Sequence, residues 1–538
     1  MDSELLAEIS AWIEDDPDPV TATQLNKLLE LGDEKTLKKY FSGFLQFGTA
    51  GLRGPLGPGP SCMNQAVVGR TAAGIVQYMK ARSLTSVVIG RDARHGSDVF
   101  EELSAQIFAG AGFTVSVLPR PLPTPVLAFA VNELSADVGI MVTASHNPGS
   151  DNGYKVYLGG TVDGVNYHGS QIISPADKEI SAEIEKIKSL KTIPRSGKWE
   201  ILGEDIVEKY IDRTKVLAPR PGELKIVYTA MHGVGTKTLQ RVFHRAGFPS
   251  LILVQAQAQP DPDFPTLAFP NPEEVGALNL AFETATTFDA DLVIANDPDA
   301  DRCSIAIKGR DLVWRALRGD EIGALLGESI ARNSKSGTLA NSIVSSSILS
   351  KIATRYGLDF QETLTGFKYI AKIPHLIFGY EEAIGFCVDA NSVNDKDGIS
   401  AALFVAQIAT DLRAQGKTLL DFLDEIWEIY GFHGTEQISI RVTDLTSISR
   451  IMNKLRENPL TEISGFKVLE SDDLANSRNS LPPTDGLRYI LENNIRIIIR
   501  PSGTEPKIKC YVEIVAADKS IALSLLEQLR PSLTELLS

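Results

Sequence analysis

The chain has 538 residues, too many for one hydrophobic core, and its length suggests three or four domains. Hydrophobic content of 43% and charged content of 22% are those of an ordinary globular enzyme. A net charge of -15, from 53 Lys+Arg against 68 Asp+Glu, argues against a nucleic-acid partner. The cysteines (Cys62, Cys303, Cys387 and Cys510) are far apart, so no zinc-finger spacing exists and a reducing compartment is expected. The acidic start, MDSELLAEISAWIEDDP, lacks the basic head of a signal peptide, and no apolar run is long enough for a bilayer. A cytoplasmic location without membrane contact is the expectation.

The first forty residues read as helices added to a first domain. A repeated plan follows. Ser86 to Leu118 reads strand, polar loop, helix, glycine stop, strand. Leu224 to Val254 and Asn341 to Leu364 repeat it, with helix stops at Gly112, Gly247 and Gly357. Alternating strands and helices predict parallel α/β sheets. The fold class is therefore α/β: three similar mixed or parallel α/β domains, then a C-terminal α+β domain. The expected boundaries are 1–215, 216–318, 319–432 and 433–538. The segment near LKTIPRSGKWEILGEDIVEKYIDRTKVLAPRPGE reads as a connector with one helix. In the last domain EQISIRV, NIRIIIR and KIKCYVEIVA read as strands, the latter two as a hairpin around PSGTEP.

Four stretches carry chemistry. ANDPDADR follows the apolar strand DLVIAN, and ligands bind beyond the carboxyl ends of parallel strands. Pro298 keeps Asp297 out of helical geometry. In an extended stretch Asp297, Asp299 and Asp301 point to one side. Converging carboxylates suit a hard cation such as Mg²⁺. An EF-hand is excluded, because Arg302 and Lys308 stand where its Gly and Glu belong. The competing reading is an acidic turn capping a helix.

TASHNP follows the strand DVGIMV and offers Ser145 and His146, with Lys155 further on. No GxSxG elbow surrounds Ser145, so a hydrolase triad is not supported. A helix cap is the plain alternative. RPSGTEPK combines Arg500, Ser502, Gly503, Thr504 and Lys507 in a turn suited to phosphate. No Walker A motif occurs. Finally, TLTGFKYI brings Thr365, Gly366 and Lys368, and FGYEEAIGF brings Glu381 and Glu382. Paired glutamates can hold sugar hydroxyls or form a solvated loop.

In this order the four motifs, with FGTAGLRG, GRDARHGS, YTAMHGVG and DKDGIS, resemble the α-D-phosphohexomutase superfamily over nearly the whole chain. The likeness is to the phosphoglucomutase branch that includes phosphopentomutases and a glucose-1,6-bisphosphate synthase. It implies four domains around a central cleft. It implies a phosphoryl-carrying Ser145 that also contributes to a Mg²⁺ site of Asp297, Asp299 and Asp301. Arg53, His146, Lys155 and Arg302 would serve catalysis, with Lys155 assisting proton transfer. Thr365, Gly366, Lys368, Glu381 and Glu382 would bind the sugar. Arg500, Ser502, Gly503, Thr504 and Lys507 would clamp the other phosphate. The implied reaction interconverts glucose 1-phosphate and glucose 6-phosphate, with glucose 1,6-bisphosphate as intermediate and activator. Pentose or mannose phosphates, or bisphosphate synthesis, are alternative substrates or activities. A non-catalytic sugar-phosphate binder and a metal-dependent phosphatase are rivals of other classes. The chain departs from many relatives at Pro298 and Ala300, where they have glycine, and at Ala383, where they have serine. The sequence leaves a monomer or a dimer open.

Overall fold

The computed structural model describes residues 2–48, 51–220, 222–442, 446–476, 481–502 and 507–537. The chain divides into two compact units. One comprises Met1–Leu317 and Gly385–Asp411, the other Arg318–Ile384 and Leu412–Ser538.

In the first unit, the strands Ser86–Arg91, Thr114–Val117 and Val138–Val142 pair in parallel. Asp151–Leu158 joins Val138–Val142 antiparallel, and Leu52–Pro55 joins the far side of Asp151–Leu158, also antiparallel. The helix Ser97–Gly110 crosses between the first two strands, as the sequence predicts, and Gly112 has φ +90° after its end. The three N-terminal helices are part of this core rather than an appendage. Ile9, Trp12, Leu25 and Leu37 are buried in one cluster with Val68, Ile89 and Ile140. Arg70 lies 4.6 Å over the Trp12 ring and pairs with Asp15 at 3.1 Å. The predicted connector helix is Asp205–Thr214, and the connector also adds the short strand Glu200–Ile201 beside Thr114–Val117.

A second sheet in this unit runs Ile252–Leu253, Ile226–Thr229, Leu292–Asn296, Cys303–Lys308, Trp314–Ala316. Its first three strands are parallel and its last two pairings antiparallel.

In the other unit, Asp359–Thr363, Thr338–Ser342 and Leu376–Glu381 form a parallel set. The helix Ile348–Tyr356 ends on Gly357 with φ +65°, the predicted left-handed cap. The C-terminal domain is an antiparallel sheet covered by the helices Thr446–Glu457 and Lys519–Leu536, which share its core. The predicted hairpin is Ile495–Pro501 with Lys507–Ala516, and Phe432–Arg441 pairs with the latter strand. The sheet is larger than the sequence reading. Leu487–Leu491, Phe466–Asp473 and Glu462–Ile463 extend it. Polar residues on both faces of Phe466–Asp473 and a register shift between Val468 and Glu470 hide its alternation.

A buried polar network ties these two domains together. Glu513 accepts from Ser346 Oγ at 2.6 Å, from the Ser347 N–H at 2.8 Å and from Arg496 Nη2 at 2.9 Å. Arg496 also donates to the carbonyls of Ile343 and Ser345. Burial opposes the charge of Glu513, but Arg496 and the hydrogen bonds hold its carboxyl well below the usual range.

Candidate active site

The first unit brings together Ser145, His146, Lys155 and the three aspartates. Ser145 ends the turn after Val138–Val142 in a left-handed conformation, φ +52°. For a residue with a Cβ that costs on the order of 1–2 kcal/mol. The surroundings impose it. The Ser145 N–H donates to Thr143 Oγ at 3.0 Å, and Thr143 donates to Asp92 at 2.7 Å. Arg94, buried and 3.2 Å from Asp92, donates to the carbonyls of Ser145, Asn147, Pro148 and Asp151. Asp92 and Arg94 lie in GRDARHGS, a stretch noted in the sequence without a role.

This turn points the Ser145 hydroxyl at the second sheet. Its Oγ donates to Asp297 Oδ2 at 2.7 Å. It also lies 3.2 Å from His146 Nδ1, a contact not expected between sequence neighbours. Burial, then the charges of Arg302 and Arg53, hold the imidazole well below its usual pKa and therefore neutral.

The aspartates converge, but not by extended alternation. Asp297 accepts from the Ala300 N–H through its carbonyl at 2.8 Å, closing a tight turn with Pro298 in its second position. Ala300 has φ +54°. A turn, not a strand, gathers the three carboxylates. Their oxygens lie within 4.8 Å of one another, and all three residues are buried. Glycines press on both flanks. A Cβ at Gly233 would collide with Pro298, and one at Gly398 with the Arg302 carbonyl. YTAMHGVG and DKDGIS thus supply the walls of the turn.

Lys155 is buried, not solvated. Its ammonium lies 2.7 Å from Asp299 Oδ2 and 2.8 Å from Asp301 Oδ2. Lys396, which sequence reasoning missed, lies 3.3 Å from Asp301 Oδ2. Burial works against a charge on Asp301, but Lys155, Lys396 and Arg302 outweigh it and hold its carboxyl far below the usual range. Burial, then Asp299 and Asp301, push Asp297 well above it. Asp299 Oδ1 and Asp301 Oδ1 are buried without a hydrogen-bond partner among the described residues. Orphaned acceptor oxygens and crowded carboxylates fit a hard cation. Arg302 contributes its N–H to Asp297 at 3.0 Å, while its guanidinium lies 3.7 Å from Glu273. Arg53 donates to Asn147 at 3.3 Å.

The second unit holds the other predicted residues. Glu381 accepts from the Gly366 N–H at 2.7 Å, so the two sugar-loop motifs meet. The Thr365 hydroxyl is buried and without a partner among the described residues. Lys368 is buried with its ammonium 5.1 Å from the Tyr369 ring centre. Glu382 accepts from Ser342 at 3.1 Å and Ser345 at 3.2 Å. Arg500 stands near the end of its hairpin strand, in register with Lys509. The Ser502 N–H donates to the Lys507 carbonyl at 2.8 Å, closing the base of the hairpin loop. Gly503 and Thr504 lie outside the described residues.

Burial, then Glu381 and Asp320, push the Glu382 carboxyl up to about 7. The folded state therefore holds a proton that the unfolded chain releases at about 4.3. Stability from this group is present below that value and is lost as pH rises towards 7. Chemical denaturation of wild type and Glu382→Gln at pH 5 and pH 8 should show a smaller loss across that interval in the variant. An equal loss in both proteins would assign the pH dependence elsewhere.

Comparison with known proteins agrees with this arrangement. Residues 45–191, 207–310 and 318–430 match the phosphoglucomutase/phosphomannomutase α/β/α domains I, II and III, and 441–531 match the C-terminal domain. The chain is 47% identical over 463 residues to "Probable phosphomannomutase" of Haemophilus influenzae, covering 85% of this chain and 94% of that protein. It is 34% identical over 599 residues to phosphopentomutase of Homo sapiens, covering 100% and 95%. It is 33% identical over 588 residues to glucose 1,6-bisphosphate synthase of Homo sapiens, covering 98% and 92%. In fold it is similar to pp63/parafusin, a phosphoglucomutase from Paramecium, with a TM-score of 0.71 at 20% identity, covering 92% of this chain and 95% of that one. No helix among the described residues is long and apolar enough to cross a membrane. With all four domains matched in order over the motifs described, the chain belongs to the phosphoglucomutase/phosphomannomutase family and is an intramolecular phosphotransferase.

Proposed function

We propose that the protein interconverts glucose 1-phosphate and glucose 6-phosphate and also accepts pentose 1-phosphates. The carrying observation is the Ser145 hydroxyl at 2.7 Å from Asp297 within a buried trio of carboxylates. In the working form Ser145 carries a phosphoryl group. The sugar O6 attacks phosphorus and loses its proton, the P–O bond to Ser145 breaks, the serine oxygen takes up a proton, and a bisphosphorylated sugar forms. After the sugar turns over, Ser145 Oγ gives up its proton and attacks the phosphorus of the 1-phosphate, the bond from that phosphorus to the sugar O1 breaks, O1 takes up a proton, and glucose 6-phosphate leaves. Mg²⁺ held by Asp297, Asp299 and Asp301 would supply positive charge to the transferring phosphoryl oxygens.

The chain's own residues do the rest. Neutral His146, with Nδ1 at 3.2 Å from Ser145 Oγ, can take the serine proton when that oxygen attacks. Lys155 is engaged by two carboxylates, which favours a fixed cation over a proton shuttle. Arg53 and Arg302 add charge beside the same phosphate. Glu381 and Glu382 hold ring hydroxyls, and Arg500, Ser502, Gly503, Thr504 and Lys507 grip the phosphate that does not react.

Pentose acceptance is supported by Ala383. It offers no hydroxyl, so a substrate lacking one ring hydroxyl leaves fewer buried groups unpaired. Competition among glucose, mannose and ribose 1-phosphates, with and without glucose 1,6-bisphosphate, tests the reading. Glucose 1-phosphate should turn over, ribose 1-phosphate should compete, and Ala383→Ser should narrow the range. A strong mannose preference, or no hexose turnover, would overturn it.

A further inference from the structure

We propose that Thr124 is a positioning residue that sets the metal affinity of the aspartate turn by fixing the orientation of Asp299. The proposal rests on the metal site described above and extends it to a residue outside every motif that marked that site.

Thr124 opens the helix Thr124–Glu133 and is fully buried. Pro123 and Pro125 flank it, so its backbone has little freedom. It grips Asp299 twice. Its N–H donates to the Asp299 carbonyl at 2.9 Å, and its hydroxyl donates to Asp299 Oδ2 at 2.6 Å. One residue of the first sheet's domain thus fixes both main chain and side chain of a residue in the second.

The carboxylate has two oxygens with unequal surroundings. Oδ2 receives Thr124 and Lys155, while Oδ1 is buried with no partner among the described residues. Two donors on one oxygen hold the group against rotation and leave the other free for a cation. Lys155 alone is a weaker guide. Its ammonium also serves Asp301, and three rotatable donors can follow either oxygen as the carboxylate turns. The threonine hydroxyl sits on a branched, buried side chain and offers one donor in one place.

Partners behind a ligand commonly set metal affinity by about 10–100-fold. The test is calorimetric titration of the full chain, dephosphorylated and stripped with chelator, with Mg²⁺ and then Mn²⁺. Thr124→Val should bind Mg²⁺ about 10–100-fold more weakly. Thr124→Ser, which keeps the hydroxyl, should bind as wild type does. Thr124→Ala is measured alongside, since it removes the hydroxyl without placing a methyl against Asp299. Thermal denaturation without metal separates a structural role, which would lower Tm and leave the Mg²⁺ Kd unchanged. A folded Val or Ala variant with wild-type affinity overturns the proposal. So does a Ser variant as weak as Ala. Wild-type protein that takes up no Mg²⁺ overturns the metal reading itself, and this proposal with it.

Discussion

Ser145→Ala should lower kcat by at least about 10⁴-fold, as removal of a covalent nucleophile does. The side chains that touch Ser145 Oγ, Asp297 and His146, are assigned to the cation and to the serine proton and would not replace the hydroxyl. The variant should still fold, because the position loses one hydroxyl whose main partner is a carboxylate that a cation would satisfy. The Arg94 bonds to the backbone of this turn remain. Two measurements check it. Turnover of sugar 1-phosphate should vanish, and the bisphosphate should no longer add about 80 Da to the intact protein mass, the mass of one phosphoryl group. Wild-type turnover in this variant would exclude a covalent route through Ser145.

Asp301→Asn should be nearly as damaging, by a different path. The substitution keeps the shape and removes the charge that Lys155 and Lys396 face. Two buried ammonium groups then share less compensation, and a cation meets two carboxylates instead of three. A loss of about 4 kcal/mol in transition-state stabilisation is expected, or roughly 10³-fold in kcat. Calorimetry should show weaker Mg²⁺ binding in parallel, and chelator should silence the wild type. Full wild-type activity in excess chelator would remove the metal from the reaction.

Much of this was legible in the sequence. Apolar strands ending in polar turns at Thr143 and Asn296 gave the position of the chemistry, because parallel sheets place ligands there. The glycine stops gave the helix ends. The shape of the aspartate turn was not legible, since a local spacing of two residues is compatible with a strand or a turn. Pro298 and the left-handed Ala300 decide for the turn. Nor were the supporting residues legible. Asp92, Arg94, Thr124 and Lys396 lie far in sequence from what they hold, and only the fold creates their contacts. The strand Phe466–Asp473 escaped for a local reason, its polar residues on both faces.

The two glycines that flank the aspartate turn carry a consequence for descent within the family. Gly233 and Gly398 carry no side chain and no charge, and neither has room for one methyl group against the turn. A lineage can therefore lose the reaction through an alanine at either position while Ser145 and every aspartate persist. Decay of the enzyme into a silent sugar-phosphate binder would leave the catalytic motifs intact. Its signature would stand instead in YTAMHGVG and DKDGIS, where the scar is a single carbon atom.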